Sequence, residues 1–178
     1  MADYTISKRG AERVIGFWRD IPRQEAADAL LRICTAQPED AALPQPEEAL
    51  ELAVAAHRIG SLGVCLAIPG DAARVRCMAA GDFTGGRVPE PLQLARLPEG
   101  LWASFRVRGP APEAVPLLCA MAERERYGGE FEATGLCAVL REPTPDPASE
   151  DAEFCLDVHI RRIRSARNLP RRREQNLA

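Results

Sequence analysis

Residues 153–159, Glu-Phe-Cys-Leu-Asp-Val-His, alternate in polarity, so a strand here sets Glu153, Cys155, Asp157 and His159 on one face. Two carboxylates, a thiol and an imidazole are the parts of a general acid–base site. If that face looks into a cleft, desolvation raises a carboxylate pKa and makes a proton donor or acceptor. If it looks into water, the same side chains are ordinary exposed groups. An antiparallel sheet with one solvated face gives the second pattern unaided, and it is the favoured expectation. A Cys155 nucleophile is disfavoured, because His159 lies four residues along the strand, about 13 Å away. Trp18 and Trp102 offer a different chemistry: an indole stacks on planar or cationic ligands and donates one hydrogen bond. Both also suit a hydrophobic core.

Other reactive groupings are sparse. Cys34, Cys65, Cys77, Cys119, Cys137 and Cys155 show no CxxC spacing and sit inside apolar runs, which suits buried free thiols. His57 and His159 lack partners at zinc-ligand spacing, so no metal site is expected. The glycine-rich stretch 81–87 lacks the P-loop spacing and its lysine. No cofactor is expected. The 178 residues carry a net charge of −3, with 46% hydrophobic residues. That balance suits a globular domain, and no apolar run approaches the roughly 20 residues that span a bilayer. Without an apolar leader at residues 1–10, a cytoplasmic location is expected. Residues 161–174 hold seven arginines, and the basic tail, 165–178, is read as a solvated segment rather than a specific nucleic-acid contact.

These side chains need elements to position them. Residues 12–18 read as a strand, and Asp20-Ile21-Pro22 as the cap of an amphipathic helix over 23–35. A loop follows at 36–46 and a second helix at 46–59. Strands at 62–68 and 73–80 flank the turn Pro69-Gly70-Asp71, and glycines and prolines at 81–91 link to a second set. That set comprises strands 92–97 and 101–108, helix 112–126, then strands 133–141 and 152–160 around a polar hairpin.

The chain also repeats itself. Moving residues 14–34 forward by 88 positions lays Phe17 on Phe105, Pro22 on Pro110, Glu25 on Glu113 and Leu30 on Leu118. Residues 63–68 similarly overlie 135–140, and Cys77 falls near Cys155, three cysteines lying in each half. The fold class expected is α+β: duplicated strand-helix-strand-strand units with pseudo-twofold symmetry, mostly antiparallel sheet with helices on one face. Residues 1–85 form one unit and 86–164 the other, together making one domain.

The stretch RLPEGLWASFRVRGPAPEAVPLL, with a proline-glycine turn, an aromatic strand ending in Arg-x-Gly-Pro and then a helix, resembles the second repeat of GyrI-like effector-binding domains. Those domains also occur fused to AraC-type and MerR-type regulators. The closing hairpin and strand, 140–163, is similar to that family's last hairpin. The resemblance implies a ligand cleft between the halves, lined by aromatics and often holding a glutamate that meets cationic drugs. Here that glutamate position falls on Cys137 or Ala138. Glu132, Glu142, Glu153 and Asp157 remain as shifted carboxylates.

The expected function is therefore binding of a hydrophobic, aromatic or cationic small molecule for sensing or sequestration. The expected lining is Trp18, Trp102, Phe105, Phe131, Cys137, Glu153, Cys155 and Asp157. A protein partner is a further expectation, whereas specific nucleic-acid binding and membrane insertion are not expected. The alternatives are a hydrolase opening cyclopropane-containing genotoxins in the same cleft, and a gyrase-inhibitor-like protein-interaction module.

Overall fold

A computed structural model describes residues 3–35, 48–141 and 146–164. Strand β1 (Tyr4–Arg9) passes through Gly10-Ala11 into β2 (Glu12–Pro22), and a 3-10 turn leads into α1 (Ala26–Thr35). Helix α2 (Glu48–Ala56), β3 (Leu62–Ile68) and β4 (Asp71–Asp82) complete the first half. Its counterpart contains β5 (Gln93–Leu97), β6 (Gly100–Arg108), α3 (Ala111–Arg124), β7 (Phe131–Arg141) and β8 (Glu153–Arg162). All pairings are antiparallel, in one eight-stranded sheet ordered β1-β6-β8-β7-β3-β4-β2-β5. Exchanging β1–β4 for β5–β8 turns this order into its own reverse. The expected α+β fold with a pseudo-twofold is thus present, its axis running between β3 and β7.

Each half holds one strand more than the expected unit. The overlooked strand is β1, whose mostly exposed residues gave no hydrophobic alternation strong enough to read. It pairs with β6 of the other half, and β5 pairs reciprocally with β2. Helix α1 begins later than expected because Asp20 stays in β2 and holds Arg76 at 2.7 Å rather than capping a helix. The loop 36–46, Glu142 and the tail from 165 lie outside the described residues.

The connections dictate the curvature of the sheet. In a flat sheet β1 and β2 would stand about 29 Å apart, six ladder steps at about 4.8 Å, yet only two residues join them. Two residues reach at most about 11 Å between flanking Cα atoms. The same holds for β5 and β6 across Pro98-Glu99. The sheet therefore curls until its opposite edges meet, and its inner face becomes an interior.

Strand alternation fills both faces. Toward α1 and α3 point Cys65, Cys77, Ala103, Phe105, Leu140, Phe154 and Leu156, packed on Leu30, Val115 and Leu118. Fully burying a side chain such as Phe105 or Phe154 contributes about 2–3 kcal/mol. Helix α2 covers Ile15 through Leu50. The inner face carries Val14, Val64, Met78, Leu97, Trp102, Cys137 and Val139, all buried. Gly16 admits the tightest strand approach in β2: a Cβ there would stand 2.1 Å from the Ala79 carbonyl oxygen. The cysteine overlay crosses faces, since Cys65 and Cys77 face the helices while Cys137 belongs to the inner core and Cys155 bonds the inner-face Asp157. A one-residue shift in a strand exchanges its faces, so these thiols are not symmetry equivalents.

Candidate ligand cleft

Strands β1, β6, β7 and β8 converge their polar positions on Asp157. Opposite it in register stand Ser104 on β6 and Val139 on β7, so Asp157 lies on the inner face, only 1% exposed. The face expected in water is thus turned inward: the curled sheet encloses it. Five donors meet the two carboxylate oxygens. Arg9 donates twice, at 2.7 and 3.2 Å, Ser104 at 2.6 Å, Arg141 at 3.1 Å and the Cys155 thiol at 3.4 Å. Arg9 also donates to Ser104 Oγ at 2.9 Å, and Arg141 reaches Glu12 at 3.4 Å. The network therefore ties together strands from both edges of the sheet.

Electrostatics follow from this geometry. Burial pushes the Asp157 carboxyl upward, but hydrogen bonds from Arg9, Ser104 and Arg141 outweigh it and hold the group below the usual carboxylate range. The hydrogen bond to Asp157 holds Arg9 more firmly protonated, against the opposing effect of burial. Burial together with the neighbouring Asp157 charge pushes the Cys155 thiol up to about 11. At neutral pH the site holds a carboxylate with its lone pairs occupied and a protonated thiol.

Beside this network opens a cleft of about 520 Å³. Three guanidinium groups (Arg9, Arg106, Arg141) and four carboxylates (Glu12, Asp82, Glu153, Asp157) line it, with Ser104, Phe154 and Cys155. Seven of the ten lining residues are charged, and Phe154 is the one aromatic residue among them.

Of the expected residues, Glu153, Cys155 and Asp157 come together here. Trp102 is 2% exposed in the inner core, edge-on to His159 at 5.2 Å, with the Arg9 guanidinium 5.7 Å from its ring centre. It lines a recess adjoining the cleft that has no room for a water molecule. Its indole N–H finds no acceptor among the described residues. Trp18, half-buried at the margin of the inner core, lies under Arg76, 4.3 Å from its ring centre. Phe105 is wholly buried beneath the helices, facing away from the inner surface. Phe131 packs under Arg162, and Cys137 is buried in the inner core, where burial pushes its thiol up to about 12. His159 acts as a pin: Nε2–H donates to the Glu99 carbonyl at 3.1 Å, and Nδ1 meets the Thr134 hydroxyl at 2.8 Å. That fastens β8 to the crossover between β5 and β6.

Arg9, Glu12, Ser104, Arg106 and Arg141 escape the sequence reading. Ser104 and Arg106 were visible in principle, alternating with Ala103, Phe105 and Val107. Arg9 and Glu12 carry no such signal, since only the tertiary fold brings them near β8.

Neither a family model nor a curated protein sequence matches the chain. Solved structures do. SAV2435 bound to tetraphenylphosphonium superposes with a TM-score of 0.65 at 12% identity, over 90% of this chain and 94% of that one. A candidate bacterial transcription regulation protein from Staphylococcus aureus MU50 gives 0.62 at 12% identity, covering 90% and 99%. An integron cassette protein from the mobile metagenome of Vibrio cholerae gives 0.56 at 11%, covering 89% and 95%. This chain shares the fold of these three structures.

Proposed function

We propose that this protein binds a small molecule in the cleft beside Asp157, for sensing or sequestration rather than chemical conversion. The carrying observation is the 520 Å³ opening bordered by a fully hydrogen-bonded polar network. A space of that size suits a drug-sized ligand, and prearranged polar groups orient one at low ordering cost. The fold shared with a tetraphenylphosphonium-bound protein supports the same reading. A ligand's polar groups would lie among the arginines and carboxylates that line the cleft.

Hydrolysis of a strained ring is the weaker reading because neither Asp157 nor Cys155 is poised for it. Asp157 is a poor base, with five donors on its oxygens, and the Cys155 thiol is protonated at neutral pH. Titration of wild-type protein with planar dyes of positive, negative and zero net charge tests the proposal. Saturable binding of at least one dye is expected, and Cys155→Phe, which places a ring in the cleft, should abolish it. Binding untouched by that substitution would locate the ligand elsewhere. Turnover of an electrophilic cyclopropane that disappears in Asp157→Asn would replace binding by hydrolysis.

A further inference from the structure

Three features of a cation site meet at one point of the inner face. Asp157 supplies a desolvated negative charge, Trp102 supplies a buried aromatic face, and the recess beside them excludes water. A cation held between a carboxylate and an indole gains from both partners, and more so away from water. That position is already taken. The guanidinium of Arg9 makes a two-pronged bond to Asp157 at 2.7 and 3.2 Å and lies 5.7 Å from the centre of the Trp102 ring.

We propose that Arg9 is a tethered internal cation filling the cleft's own cation position, and that it makes the native protein reject lipophilic cations. The inference rests on the small-molecule reading of the cleft and assigns its selectivity to one residue. Arg9 belongs to edge strand β1, and its side chain is 26% exposed. Arg9, Glu12 and Arg141 line both the cleft and the recess against Trp102. Shortening Arg9 therefore merges the two spaces and uncovers the indole. Asp157 stays ionised in that event, because Arg141, Ser104 and the Cys155 thiol still donate to it. With Arg9 present, Asp157 faces two guanidinium groups and Glu12 interacts with both Arg141 and Arg9, so an incoming cation finds these two carboxylates already engaged.

A merely structural salt bridge predicts that removing Arg9 lowers stability and nothing more. The built-in cation predicts a gain. Calorimetric titration with tetraphenylphosphonium should give weak or undetectable binding to wild-type protein and to Arg9→Lys, whose ammonium still fills the position. Arg9→Ala should bind at least about tenfold tighter, the order a desolvated cation–π contact supplies. Should Arg9→Ala not fold by circular dichroism, Arg9→Met keeps the strand's bulk without the charge and should show the same gain. Wild-type binding as tight as that of Arg9→Ala, or no gain in either folded variant, overturns the inference. If a neutral planar dye still binds the wild-type cleft in that case, the small-molecule reading stands and only the role of Arg9 falls. If neither the dye nor the phosphonium binds any variant, both fall.

Discussion

Replacing Asp157 by asparagine removes one charge and little volume. Breaking a buried ion pair from one side typically costs 3–5 kcal/mol, because the partner charge is left uncompensated. Here the partners are only partly buried, Arg9 at 26% and Arg141 at 29% exposure, so water can take up part of the loss. Asparagine also keeps one oxygen for Ser104 and one prong of Arg9. The expected cost is therefore at the lower end, about 3 kcal/mol, or roughly a hundredfold in the folding equilibrium. Urea denaturation at neutral pH with a shared m-value measures it. The pH dependence gives an independent check. Because Asp157 titrates lower in the folded protein than in the unfolded chain, its stabilisation is present above the ordinary carboxylate pKa, about 3.9. It is lost as pH falls from there through the folded value. Wild-type protein should lose stability over that acid window more steeply than Asp157→Asn. A loss under about 1 kcal/mol, or identical acid profiles, would refute the account of Asp157 as the charged centre of the site.

Two further outcomes test the packing. Gly16→Ala should destabilise by about 3 kcal/mol or more in thermal or chemical denaturation, since its methyl would meet the Ala79 carbonyl and the Ala80 Cα, both backbone. A neutral substitution there would mean that β2 and β4 are not so closely apposed. Trp18→Phe leaves Trp102 as the sole indole, and its emission should be blue-shifted and poorly quenched by acrylamide, as 2% exposure requires. Strong quenching would put Trp102 at the surface.

Much of the architecture was legible before any coordinates. The strand-turn-strand pattern around Pro69-Gly70-Asp71 and the helix after Gly109-Pro110 follow from local propensity, which acts over a few residues. The overlay of Phe17 on Phe105 pointed to a repeat, and both residues face the helices' side of the sheet. The alternation of 153–159 set Cys155, Asp157 and His159 on a common face. Its failure was one of direction: alternation states which residues share a face, not what that face meets. Likewise the cysteine matches, made on residue type alone, pair thiols that lie on opposite faces of the sheet.

What the sequence determined by itself is the local elements other than β1, the α+β fold class they build and the grouping of polar residues along β8. Tertiary structure alone decided that β1 and β2, though two residues apart, stand six strands apart in the sheet, which forces the curl. Strand pairing brings Arg141 of the neighbouring β7 and Arg9 of β1, two strands away, to Asp157, and the curl encloses Asp157 and closes the inner core over Trp102. Periodicity and propensity act along the chain. The charge balance of this cleft comes from contacts between distant segments, whose partners are fixed only when the sheet assembles.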